Sequence, residues 1–157
     1  MLAPYLMTAM RCVDEGIAPE TVDEAALAFG MPMGPIELAD TVGLDICVAV
    51  GRMLDSDAVP PVKLMTLVDA GKLGKKSGQG FYSWVNGKPQ KQAAGTVPEG
   101  LAQRLVTPYV REAKSALDER IVADADLVDA GAIFGTGFAP FRGGPLHYAE
   151  TLAQAAA

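Results

Sequence analysis

The 157-residue sequence predicts an all-α protein: two tandem homologous helical units packed about a pseudo-twofold axis, with a short strand or hairpin near residues 81–88. Three observations support that prediction. Apolar residues recur at three-four spacing over most of the chain, the period of a buried helix face. Gly and Pro punctuate those stretches at helix-like intervals. The two ends of the chain also resemble each other.

Leu2, Tyr5, Leu6, Ala9, Met10 and Val13 mark the first helix face, and Gly16 is its stop. Pro4 fits a first turn, where the missing N–H has no intrahelical role. A second helix over 19–29 opens on Pro19 and is capped by Gly30. Met31-Pro32-Met33-Gly34-Pro35 is a stiff apolar loop, followed by a short helix to Gly43 and a fourth over 44–54. Val62, Leu64, Met65, Leu67 and Val68 form a fifth helix that stops at Gly71. Residues 72–80 are rich in Gly and Lys. Phe81-Tyr82-Ser83-Trp84-Val85 is the best strand signal, and Asn86-Gly87 is a hairpin turn. Residues 88–98 are polar and read as a linker. Helical pattern resumes over 99–120, interrupted or kinked at Thr107-Pro108. A helix over 125–134, a long Gly/Pro-rich loop over 135–145 and a last helix complete the chain.

The repeat sets the domain boundaries. Pro4-Tyr5 matches Pro108-Tyr109, and Asp14-Glu15 matches Asp118-Glu119 at the same spacing. Val22-Asp23 then matches Val128-Asp129, Phe29-Gly30 matches Phe134-Gly135, and Gly34-Pro35 matches Gly144-Pro145. Residues 1–90 form the first unit and 91–157 a second, shorter one. A unit this small rarely buries its apolar face alone, so the copies should pack on each other as a homodimer would.

Composition excludes several functions. A net charge of −6 and an isoelectric point near 4.7 argue against a nucleic-acid partner. One histidine and two cysteines, Cys12 and Cys47, cannot supply a structural zinc site, and no metal is expected. The cysteines read as buried thiols of a reducing compartment. No apolar run reaches the roughly 18 residues of a membrane span, and no basic leader precedes the first helix. A cytoplasmic location is expected.

Candidate chemistry is sparse. No strand leads into G-x-G-x-x-G, and Gly74-Lys75-Lys76-Ser77 lacks the spacing of a phosphate loop. His147 could act as a base, but its repeat counterpart is Glu37, so the copies do not share the group. Glu37, Asp40 and Asp45 lie near helix ends and read as capping or dipole residues. Lys72, Lys75 and Lys76 are the one local basic cluster, able to meet a phosphate or simply to be solvated. No residue is assigned a catalytic role.

Three motifs in combination resemble the L-3-hydroxyacyl-CoA dehydrogenases. Phe29-Gly30-Met31-Pro32-Met33-Gly34-Pro35-Ile36-Glu37-Leu38-Ala39-Asp40-Thr41-Val42-Gly43-Leu44-Asp45 is similar to part of their C-terminal domain, and Lys72-Leu73-Gly74-Lys75-Lys76-Ser77-Gly78-Gln79-Gly80-Phe81-Tyr82 to its closing segment. Gly135-Thr136-Gly137-Phe138-Ala139-Pro140-Phe141-Arg142-Gly143-Gly144-Pro145 resembles the second copy found in multifunctional β-oxidation proteins. The resemblance implies a parent enzyme that oxidises L-3-hydroxyacyl-CoA with NAD. Its nicotinamide, base and a substrate-site Asn lie before the position matching Met1. The chain alone is then expected to be inactive and to bind no NAD strongly. It would supply one wall of the acyl-CoA cleft through Pro32, Met33, Gly34, Pro35 and Leu38, with Lys72, Lys75 and Lys76 as possible CoA phosphate contacts. Implied partners are acyl-CoA, the Rossmann domain and a thiolase. An acyl-CoA-binding module or a purely structural scaffold of a multienzyme complex are the alternatives.

Overall fold

The computed structural model describes residues 1–155, and eight α-helices carry most of them. α1 (Leu2–Asp14) has Pro4 in its first turn and buries Tyr5, Leu6, Ala9, Met10, Cys12 and Val13 along one face. α2 (Pro19–Phe29) and α3 (Pro35–Val42) each begin on the proline itself, whose fixed φ suits a first helical position. Gly30 ends α2 at φ +114°, a left-handed conformation that glycine adopts without a Cβ penalty. α4 (Leu44–Leu54) and α5 (Val62–Asp69) pack against α1 and each other.

A 3-10 turn at Lys75–Ser77 leads into an antiparallel hairpin, β1 (Ser83–Val85) and β2 (Lys88–Gln90). Trp84 faces Pro89, and Asn86 and Gly87 both take positive φ (51° and 73°), as a type I′ turn requires. The expected linker over 88–98 therefore begins as a strand. The remainder lies on α2, where Gln92 N–H donates to Glu20 and Gly95 N–H to the Thr21 hydroxyl.

α6 (Leu101–Asp118) runs unbroken through Pro108, so the expected interruption is absent. α7 (Ala125–Thr136) is capped by the Asp124 carboxylate, which accepts from Leu127 N–H. A 3-10 turn at Pro140–Arg142 joins it to α8 (Pro145–Ala155).

The core draws on both halves. α1 lies along α6, with the Tyr5 ring edge-on to Tyr109 at 6.3 Å. Phe138 continues the stack, 5.2 Å from Tyr109 and 5.8 Å from Phe29, and Phe29 meets Tyr148 at 5.1 Å. Most residues paired by the repeat hold alike positions. Asp23 accepts from Ile36 and Glu37 N–H at the start of α3; Asp129 accepts from Leu146 and His147 N–H at the start of α8. One expected match fails. Gly135 lies inside α7, and the left-handed cap equivalent to Gly30 is Gly137, at φ +73°. Phe134 is 90% exposed, while Phe29 is buried.

Candidate functional site

Two buried carboxylates organise the face that carries the family-like motifs. Asp23 Oδ1 accepts from Ile36 N–H at 2.7 Å, and its Oδ2 from the Tyr82 hydroxyl at 2.8 Å and Lys91 Nζ at 2.9 Å. Lys91 also reaches Glu37 at 2.6 Å and lies over the Tyr82 ring, 5.0 Å from its centre. Asp40 accepts from the Phe81 and Tyr82 amides, both at 2.9 Å, and from Trp84 Nε1 at 3.0 Å. Asp40 is therefore the anchor of a strap over 80–91, not a cap of its own helix.

Burial raises the pKa of both carboxyls above the ordinary aspartate range. Lys91 and Tyr82 oppose the shift at Asp23; Trp84 and the strap amides oppose it at Asp40. Burial and the Asp23 charge push the Tyr82 phenol far up. Desolvation lowers Lys91, but Glu37 and Asp23 outweigh it and hold the ammonium charged.

The expected substrate-wall residues divide by exposure. Gly34 and Pro35 are buried; a Cβ on Gly34 would lie 2.1 Å from Asp23 Cγ, so this glycine lets the carboxylate close on α3. Pro32 is exposed, Met33 and Leu38 are half-buried, and the Pro32 ring packs toward Gly137 of the second half. The lysine cluster is partly engaged. Lys76 pairs with Asp45 at 2.6 Å, which holds the Asp45 carboxyl below its usual range, and Lys75 sits 5.6 Å from the centre of the Trp84 ring. Asp45 is thus an ion-pair partner as well as a first-turn acid. His147 is exposed on α8 and shares a groove with Asp126, Asp129 and Glu150 rather than with Glu37.

One large groove was not anticipated. About 660 Å³ lies between the start of α1, the end of α4, the 55–60 loop and the middle of α6. Met1, Pro4, Met7, Val59 and Pro108 give it apolar walls, and Arg11, Arg52 and Arg111 bring positive charge, against Asp55 and Glu112. Arg11 is steadied by the Val59 carbonyl at 3.3 Å. Gly51 leaves space that Met7 occupies, since a Cβ there would meet Met7 Cε at 2.8 Å. No local spacing could reveal three arginines drawn from three helices. Asp23 did carry a signal, its repetition as Asp129.

Among the described residues, no group of three or more His, Cys, Asp or Glu side chains is placed to hold a metal ion. No described helix is long and apolar enough to cross a membrane.

Residues 1–84, from α1 through the start of the hairpin, match the family described as the C-terminal domain of 3-hydroxyacyl-CoA dehydrogenase. The chain belongs to that family. The fatty acid oxidation complex subunit alpha of Shewanella putrefaciens is 36% identical over 173 residues, covering 99% of this chain and 24% of that protein. Its counterpart in Vibrio cholerae serotype O1 is 38% identical over 169 residues, covering 97% and 24%. The chain thus spans about a quarter of the length of the curated relatives it matches. The 3-hydroxybutyryl-CoA dehydrogenase of Escherichia coli K12 superposes with a TM-score of 0.70 over 95% of this chain and 51% of that one. At 22% identity it speaks for the fold. The (S)-3-hydroxybutyryl-CoA dehydrogenase of Ralstonia eutropha is 34% identical, with a TM-score of 0.50 over 55% of this chain and 33% of that one. The fatty acid oxidation complex alpha subunits are thus similar to both halves of this chain by sequence, and the solved fold extends across nearly all of it.

Proposed function

We propose that the chain is the substrate-side domain of an NAD-dependent L-3-hydroxyacyl-CoA dehydrogenase of fatty-acid β-oxidation. It works in the cytoplasm beside a Rossmann domain and within a complex that includes a thiolase. The observation that carries this reading, beyond family membership, is the arginine-bearing groove of about 660 Å³. An acyl-CoA joins an apolar chain to phosphate groups, and the groove joins apolar walls to guanidinium groups suited to phosphate oxygens. Pro32, Met33 and Leu38 are a further apolar wall for the acyl chain, with Gly34 and Pro35 shaping their turn. Lys72, Lys75 and Lys76 are the competing phosphate contacts. Residues 1–90 and 91–157 are two copies, the second standing in for a partner subunit; the twin Asp23 and Asp129 caps support that reading.

The described residues do not fit a dinucleotide. Their only sheet is an antiparallel hairpin, and the space at Gly80 is filled by Asp40, whose Oδ1 would lie 2.2 Å from a Cβ there. On this reading the nicotinamide and the proton-accepting base belong to another domain.

Calorimetry with acetoacetyl-CoA tests the cleft. Binding is expected, and replacing Arg11, Arg52 and Arg111 with Ala should weaken it at least about tenfold, as loss of charge-assisted hydrogen bonds does. Loss on replacing Lys75 and Lys76 instead would move the phosphate site to the lysine loop. An absence of heat and of thermal shift would leave only a scaffold role. The chain alone should form no NADH from a 3-hydroxyacyl-CoA and NAD; turnover would overturn the assignment of the base to another domain.

A further inference from the structure

We propose that the groove between α7 and α8 docks an extended segment of a separate polypeptide, carrying two adjacent aromatic residues and a following lysine. The other half of the molecule shows such a groove filled. Between α2 and α3, the strap over 80–91 gives two successive amides to Asp40, the Tyr82 hydroxyl to Asp23, and Lys91 to Asp23 and Glu37. The chain just beyond gives the Gln92 amide to Glu20. The groove is therefore read by carboxylates at Glu20, Asp23, Glu37 and Asp40.

The second half repeats the receiving side. Asp129 caps α8 through Leu146 N–H at 2.7 Å and His147 N–H at 3.0 Å, as Asp23 caps α3. A Cβ on Gly144 would lie 2.3 Å from Asp129 Cγ, just as one on Gly34 would crowd Asp23. With Asp129 set on Asp23, Asp126 stands where α2 has Glu20. With Gly144-Pro145 set on Gly34-Pro35, His147 and Glu150 stand where α3 has Glu37 and Asp40. These four residues line one groove of about 330 Å³, beside Ile133 and Phe134. Among the described residues, no segment crosses it, and the Phe134 ring at its side is 90% exposed.

The chemistry selects the occupant. A carboxylate at Glu150 suits paired backbone amides, the outer side of Asp129 suits a phenol or ammonium, and Phe134 suits an aromatic neighbour. The acidic lining favours a cationic segment. A second copy's own strap is a poor candidate. It would exchange the full carboxylate set of its first groove for one in which a histidine replaces Glu37.

A fluorescently labelled peptide with the sequence of residues 78–91, added to the full chain and followed by anisotropy, tests the proposal. Saturable one-to-one binding is expected. Glu150→Lys and Phe134→Asp, both at exposed positions, should each weaken it about tenfold while circular dichroism and Tm stay unchanged. Alanine in the peptide at the Phe81 and Tyr82 positions should abolish it. No binding, or binding indifferent to both groove variants, would overturn the proposal. Concentration-dependent dimers of the chain that Glu150→Lys dissociates would replace the separate polypeptide with a second copy, and overturn it as stated.

Discussion

Asp23 and Asp40 are buried yet fully used, each accepting hydrogen bonds from more than one segment. Burial raises both pKa values, so the folded chain holds these protons at a pH where the unfolded chain has released them. Their contribution to stability is thus present at low pH and is lost as pH rises through the raised folded values. Glu15 and Asp45 act the other way. Arg104 and Lys76 hold them low, and their contribution is lost as pH falls through the lowered folded values. Carboxyl carbon shifts followed by NMR should place the Asp23 and Asp40 midpoints above those of Asp45 and Glu15. Midpoints for the buried pair at or below that of Asp45 would contradict the desolvation argument. Asp40→Asn should remove its part of the downward slope of stability as pH rises above the ordinary aspartate range.

At the scale of elements, the α2–α3 and α7–α8 corners depend on a missing side chain. Gly34→Ala would set a Cβ 2.1 Å from Asp23 Cγ, and Gly144→Ala one 2.3 Å from Asp129 Cγ. Each should cost about 1–3 kcal/mol from crowding. Gly144 also sits at φ +107°, where a Cβ adds roughly 1–2 kcal/mol. Gly71→Ala is the control, since its φ is +73° but nothing lies within 4 Å of the added carbon. Thermal melts should rank the losses Gly144, then Gly34, then Gly71. These corners were legible in the sequence because a cap demands a short acceptor and a close approach demands glycine, so Asp and Gly recur in both halves. The match of Phe134-Gly135 to Phe29-Gly30 misled because α7 runs on to Thr136 before its glycine cap. The extent of β2 into the expected linker was hidden for a different reason. Lys88 and Gln90 are exposed, so the strand carries no apolar alternation. The arginines of the large groove converge only in three dimensions.

At the scale of the molecule, neither half is closed. Tyr5 and Met10 of α1 are buried in the same core as Leu105 and Tyr109 of α6, and Phe29 of α2 lies against Phe138 and Tyr148. Residues 1–90 expressed alone should expose that face and lack a cooperative transition, with weak near-ultraviolet dichroism and association on size exclusion. A sharp melt of that fragment would refute the shared core. The fold class was legible from periodicity and the hairpin from Asn86-Gly87. The manner in which the strap seals one half was not, because Asp40 holds it by backbone amides, which any residue but proline provides.

The two thiols give this fold an internal timer. Cys12 on α1 and Cys47 on α4 are buried and free, and burial together with the Asp40 and Asp45 charges pushes the Cys47 thiol up to about 11. Near pH 8 only on the order of one Cys47 in a thousand is thiolate, the reactive form. A thiol reagent should therefore label each site only when its helix lifts. With Cys12→Ala and Cys47→Ala variants read separately, labelling rates become a record of how often each helix leaves the core. Fast labelling of the native chain at either position would show that helix to be loose.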